Sequence, residues 1–250
     1  MFNVFPIPAF SDNYIWCITE GKFAAVVDPG DADVVEATLQ KHHLVLTDIL
    51  ITHHHQDHIG GVERLLNHHQ VNIYAPKHEQ YTFNHTPVGH QDVVNLAHQN
   101  VSLSVIEVPG HTSGHIAYYG QNLLFCGDTL FSVGCGRLFE GTAEQLLTSL
   151  KTLAHLSPET LVYCTHEYTQ KNIQFALNIE PNNRALLQYS AKVAHLRSAG
   201  LPSLPSKIAQ ELLVNPFLRC NEQDIKNHLA MQNNSELEIF TELRKRRNNF

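Results

Sequence analysis

The sequence predicts an α+β protein in which a strand-rich region, residues 1–166, precedes a small all-helical region, residues 167–250. Three observations predict it. Short apolar runs separated by Gly, Pro and Asn fill the first two-thirds, and every candidate element from Glu167 onward has apolar residues at i, i+3 and i+4. Hydrophobic residues make up 43% of 250 residues and charged residues 16%, enough for a sizeable core. Residues 15–18 and 23–27 read as a hairpin, the second strand stopped by Asp28-Pro29-Gly30. Asp31 can cap a helix to about residue 43, with Val34, Val35 and Leu39 inward. Residues 48–52 (DILIT) form a buried-type strand, and VERLLNHH after it has helical spacing. Further strands fall at 71–74, 102–108, 116–119, 122–126 and 160–164. Helices follow at 169–178, 184–199 (closed by Gly200), 206–213, 222–231 and 235–247.

Composition excludes several classes. Seventeen basic against 24 acidic residues give a formal charge of −7. Duplex binding draws on many Lys/Arg to phosphate contacts, so nucleic acid is not the main partner. A mean hydropathy of −0.20, without an apolar run near ~18 residues, leaves no membrane span. The first ten residues lack a basic segment and carry Pro6 and Pro8, unlike a signal or transit peptide. Five cysteines, none in a C-x-x-C pair, fit a reducing cytosol rather than a disulfide framework or a zinc ribbon.

The unusual quantity is 18 histidines. Directly after the DILIT strand stands H-x-H-x-D-H: His53, His55, Asp57 and His58. Alternation turns His54 away from His53 and His55. The same arrangement recurs, since three more strands run into P-G-His111, G-Asp128 and T-His166. Strand ends on one rim would converge these donors, whereas scattered surface histidines have no reason to sit there. Seven side chains exceed the four that one tetrahedral zinc needs, so two ions are expected. Asp128 would bridge them, with His53, His55 and His111 on one ion and Asp57, His58 and His166 on the other. Without cysteine among the donors, zinc, iron and manganese are all admissible. Two ions about 3.5–4 Å apart would deprotonate a bridging water near neutral pH and polarise a carbonyl, so Asp57 and Asp128 are expected at the catalytic centre. Asp28 is a candidate to hold a ligand histidine in one tautomer. His115 reads as structural.

THHHQDHIGG, PGHTSGH, FCGDTLF and THEYT together resemble the metallo-β-lactamase superfamily. IPAFSDNYIW, GCGRLFEGT, NPFLR and a basic final helix ending NNF resemble, within it, glyoxalase II, the hydroxyacylglutathione hydrolases. The resemblance spans essentially the whole chain. It implies an αββα sandwich with a dimetal site (1–166), then a helical glutathione-binding domain (167–250). It also implies hydrolysis of S-D-lactoylglutathione to D-lactate and glutathione, the second step of methylglyoxal detoxification, by a cytoplasmic enzyme. The expected cofactor is a pair of divalent ions, zinc foremost. The expected partner is the small-molecule thioester alone, with the chain a monomer that binds neither nucleic acid nor membrane. Carried over residue by residue, the family's substrate contacts fall on Arg137, Phe139, Tyr168, Arg244 and Arg247. Many relatives have lysine at Arg137 and often tyrosine at Phe139, and phenylalanine cannot donate a hydrogen bond. Arg244 and Arg247, three apart on one helix face, could grip the tripeptide's carboxylates. Alternatives are a lactonase, a β-lactamase or another thioesterase of the superfamily, a mononuclear iron persulfide dioxygenase, and a metal-buffering protein without turnover.

Overall fold

The computed structural model describes residues 2–250, and the chain falls into two compact units. The first runs to Glu107 and adds Ser113–Gly127; the second comprises Val108–Thr112 and Asp128–Phe250.

The first unit begins with β1 (Asn3–Ala9), β2 (Asn13–Glu20) and β3 (Phe23–Val27), each antiparallel to the next. Pro6 and Pro8 discourage a strand in the sequence, yet they pair with Trp16 and Tyr14. The strand is at the sheet edge, and two residues of equal parity can turn their missing N–H groups outward. After α1 (Ala32–His42), β4 (Val45–Leu50) joins β3 in parallel. Two short helices, α2 (Gln56–Ile59) and α3 (Val62–Leu66), precede β5 (Asn72–Pro76) and β6 (Thr86–Val88), which complete this sheet in parallel. Val35, Leu39, Val62 and Leu65 from α1 and α3 are buried with Ile49, Ile51 and Ile73 in its core.

An antiparallel meander follows: β7 (Val93–Leu96), β8 (Val101–Glu107), β9 (Ile116–Gly120) and β10 (Leu123–Gly127). The wholly buried Tyr118 ties this meander to the first sheet, its one hydroxyl proton shared between the carbonyls of Ile51 at 2.9 Å and Tyr74 at 3.0 Å. β4 stops at Leu50 rather than at residue 52. Ile51 still donates to Tyr74 O, but the Thr52 N–H turns to the Asp28 carboxylate at 2.8 Å, and the chain leaves the ladder where its donors begin.

The second unit opens with a two-stranded ribbon, β11 (Leu130–Phe131) and β12 (Gly134–Cys135). Helix α4 (Ala143–Ala154) is absent from the strand-based reading of this stretch, although Thr142 and Gln145 form a capping box at its start. After β13 (Leu161–Cys164) come α5 (Thr169–Ile179) and α6 (Arg184–Ser198), close to their expected bounds. Residues 206 and 207 do not begin a helix. They form β14 (Ser206–Lys207), antiparallel to β13, before α7 (Ile208–Val214). The final third is therefore not purely helical. A 3₁₀ turn at Pro216–Leu218, α8 (Gln223–Leu229) and α9 (Glu236–Asn248) complete the unit. Among the described residues no helix is long and apolar enough to cross a membrane.

Candidate active site

The first unit carries four of the expected donors on the turn after β4. His53 and His58 are fully buried, with ring centroids 4.0 Å apart, and His53 Nε2 lies 3.1 Å from His55 Nδ1. His58 Nε2 is 3.6 Å from Asp57 Oδ2, and that oxygen accepts from Asn13 Nδ2 at 3.1 Å. The protons on these rings follow from the hydrogen bonds. Thr52 has one hydroxyl proton and gives it to Asp28 Oδ2 at 2.7 Å, so its oxygen accepts from His53 Nδ1 at 3.1 Å. A carboxylate only accepts, so His58 Nδ1, 3.0 Å from Asp28 Oδ2, also carries its proton. In both rings the Nε2 lone pair is then the available ligand, as metal-binding histidines are ordinarily held. Asp28 is buried and has φ +53°, so the Asp-Pro-Gly turn aims its carboxylate at the base of the donor loop. Gly127, with φ +48°, closes the floor: a Cβ there would collide with Thr52 Oγ1 and the His115 ring. His115 is buried and stacks on His53 at 4.6 Å, while His54 turns outward to Glu79, 3.2 Å away.

The second unit carries the other three donors. His111 Nε2 and His166 Nε2 lie 3.5 and 3.3 Å from the same atom, Asp128 Oδ2. His111 Nδ1 donates to the Arg137 carbonyl at 2.9 Å, which again leaves Nε2 with its lone pair. The loop that returns Arg137 to His111 passes so close to Asp128 that only glycine fits at position 136, where a Cβ would strike the Asp128 carbonyl. Tyr168 stacks on His166 at 4.6 Å with rings 1° from coplanar, and Phe131 meets both rings edge-on.

These residues open onto a cavity of ≈ 580 Å³ within the second unit, in the range of small-ligand sites. His111, Asp128, Phe131 and Tyr168 line it together with Arg137, Arg244 and Arg247, and Phe139, Cys135, Lys171, Asn172 and Phe250 complete the wall. The three arginines repel one another. Burial first, then the Arg244 and Arg137 charges, push the Arg247 guanidinium below its ordinary value, a field that an anionic ligand would relieve. The two helix arginines are not equivalent. Arg247 is half-buried and donates through Nε and Nη2 to Asn172 Oδ1 at 3.3 and 3.2 Å. Arg244 is only 4% exposed and directs Nη1 to the carbonyls of Cys135 (2.8 Å) and Gly136 (3.3 Å), its guanidinium 5.2 Å from the Phe217 ring centre. Most of Arg244 is thus structural, which the i, i+3 spacing does not convey. Phe139 is exposed and meets the His111 ring edge-on at 5.2 Å.

The structure therefore gathers His53, His55, Asp57 and His58 in one unit and His111, Asp128 and His166 in the other. The sequence reading passes over Asn13, Thr52, Asn172, Lys171 and Phe250. Of these, Thr52 stands between a strand and the first donor, and Asn13 and Phe250 fall in the IPAFSDNYIW and NNF segments that carry the resemblance, while Asn172 and Lys171 carried no signal.

The donor chemistry fits divalent metal ions: neutral imidazoles with their outer N–H fixed, plus carboxylates, are hard-to-borderline ligands, and the fold implies the same. The metallo-β-lactamase superfamily model matches residues 10–166, and the hydroxyacylglutathione hydrolase C-terminus model matches residues 167–250. The chain is 50% identical over 250 residues to a hydroxyacylglutathione hydrolase of Methylobacillus flagellatus, and 50% identical over 254 residues to one of Aliivibrio fischeri, with 100% of both chains covered in each case. Among solved structures it is similar to ETHE1 from Myxococcus xanthus (TM-score 0.67, 24% identity, 99% of this chain and 98% of that one) and to the B3 metallo-β-lactamase BLEG-1 (TM-score 0.64, 23% identity, 87% and 99%). Both likenesses are of fold. TTHA1623 in a di-iron-bound form is similar over 65% of this chain and 92% of that one, with a TM-score of 0.57 and 26% identity. The chain belongs to the metallo-β-lactamase superfamily and, within it, to the hydroxyacylglutathione hydrolases.

Proposed function

We propose that this enzyme hydrolyses the thioester of S-D-lactoylglutathione and related 2-hydroxyacylglutathiones, releasing D-lactate and glutathione in the second step of methylglyoxal detoxification. One observation carries the reading: a single cavity is lined both by metal-type donors, His111 and Asp128, and by three arginines. A substrate with a reactive acyl group at one end and two carboxylates at the other matches that polarity. A lactone or a β-lactam lacks the second carboxylate and leaves the arginine cluster unused.

The proposed ligands are His53, His55 and His111 for one ion and Asp57, His58 and His166 for the other, with Asp128 shared; zinc is the proposed metal. When bound, the ions supply a water-derived nucleophile at neutral pH and an electrophile for the thioester oxygen. Thr52, Asp28 and the Arg137 carbonyl keep His53, His58 and His111 in the tautomer that offers Nε2. Asp57, its Oδ2 held by Asn13, orients the attacking oxygen. Arg247 and the exposed Arg137 bind the tripeptide carboxylates, with Arg244 adding positive potential from beneath. Tyr168 holds His166 and borders the acyl end, and Phe139 offers an apolar edge. The leaving thiolate is weakly basic, so no side-chain acid is required. Residues 1–166 serve as the metal domain and 167–250 as the glutathione-binding domain of a monomeric cytoplasmic enzyme.

The test is hydrolysis of S-D-lactoylglutathione followed through loss of thioester absorbance. Turnover should vanish on chelation and return with zinc. Absent turnover, or equal kcat/KM for a small neutral thioester, would refute the assignment, and oxygen consumption would mark persulfide chemistry instead.

A further inference from the structure

The loop from Phe131 to Arg137 is held in an unfavourable shape by a group that does not itself line the cavity. Val133 is buried with φ +58°, a left-handed conformation that a β-branched residue avoids. Its N–H donates to Glu211 Oε2 on α7 at 2.7 Å. Asn215 Nδ2 reaches the same oxygen at 3.1 Å and also donates to the carbonyls of Phe131 (3.2 Å) and Gly134 (2.9 Å). Glu211 and Asn215 are wholly buried. An interior carboxylate is costly to keep, and burial pushes its titration upward despite these donors. A turn fixed at that cost is one whose position matters. Beyond it the loop ends at Arg137, whose carbonyl takes the His111 Nδ1 proton and whose side chain lines the cavity.

We propose that Glu211 is a positioning residue for the hydrolase: by holding Val133 in its left-handed turn it places Arg137 against the glutathione tail. This rests on the thioesterase reading above. It can be tested with wild type, E211A, E211Q, R137A and E211A/R137A, measuring KM and kcat for S-D-lactoylglutathione and the Kd of free glutathione by titration calorimetry. E211A should raise KM and Kd at least ~5-fold. E211Q should stay within about twofold of wild type, because its amide oxygen still accepts from Val133 and Asn215. In the R137A background E211A should change Kd by less than about twofold, since the group it acts through is gone. If E211A does not fold, E211M fills the volume without an acceptor and carries the same expectations. An unchanged Kd in E211A or E211M, or a loss that multiplies in full on R137A, overturns the positioning role. A wild type that does not hydrolyse the thioester overturns the underlying reading instead.

Discussion

Asp28→Asn isolates the tautomer argument, because Asn tolerates φ +53° and keeps the shape of the side chain. The carboxylate accepts three hydrogen bonds, from Thr52 N–H (2.8 Å), Thr52 Oγ1 (2.7 Å) and His58 Nδ1 (3.0 Å). An amide has one oxygen and one NH₂, so no orientation serves all three donors. With NH₂ facing the Thr52 N–H, a buried donor pair is left unsatisfied, at about 1–3 kcal/mol. With NH₂ facing His58, Nδ1 must become an acceptor and the proton moves to Nε2, removing the ligand lone pair. Loss of such an outer partner typically weakens a metal site 10–100-fold, about 1.4–2.7 kcal/mol. The second route is the one expected, because a backbone N–H cannot give up its proton whereas a hydroxyl can rotate and an imidazole can change tautomer. Competition with a chromogenic chelator should reveal a weakening of ~10-fold or more at pH 7, with kcat lowered in proportion to occupancy and restored by excess zinc. Metal affinity within twofold of wild type would refute the claim that Asp28 sets the His58 tautomer.

Asp128→Ala should abolish thioester turnover and reduce bound metal on elemental analysis; near-normal turnover would exclude Asp128 from the centre. Arg244→Ala and Arg247→Ala should separate. The first uncovers two buried carbonyls and a cation–π contact, costing about 2–4 kcal/mol, and should lower Tm by roughly 2–4 °C per kcal/mol. The second should raise KM for the glutathione thioester ~10-fold with little change in Tm, and equal effects in both variants would count against the division of labour. Burial raises the Glu211 carboxyl, so the folded state holds a proton that the unfolded state releases. That contribution is present in full below the ordinary carboxylate value of about 4.3 and is lost as pH rises through the folded value, at up to 1.36 kcal/mol per pH unit. E211Q has no such proton, so its Tm should gain on wild type from about pH 4.5 upward and then level off; parallel Tm–pH curves would contradict it.

How far sequence alone could reach depended on whether a residue's task was local. The candidate donors could be picked out because each follows a strand within a few residues, and strand ends are the rigid places from which a loop can aim a side chain. Asp28 was legible for the same reason, as the acid of a turn that ends β3. β1 was obscured by prolines that only an edge position excuses, and α4 by neighbouring strands despite its capping box. Arg244 and Glu211 were beyond reach on different grounds. Helical spacing assigns Arg244 and Arg247 to one face, but the carbonyls of Cys135 and Gly136, 109 and 108 residues away, take up Arg244. A glutamate in α7 looks like a solvated helix residue until Val133, 78 residues earlier, is found to need its oxygen. Both side chains act on the loop between Asp128 and Arg137, which joins a proposed donor to a proposed substrate contact. On the proposed reading, the reactive groups are set by strand ends next to them in sequence, whereas the grip on the substrate is set by buried polar groups far from it. Substitutions that retune glutathione affinity while sparing the metal donors should accordingly concentrate in α7 and α9 and the loop they hold, not in the donor motifs.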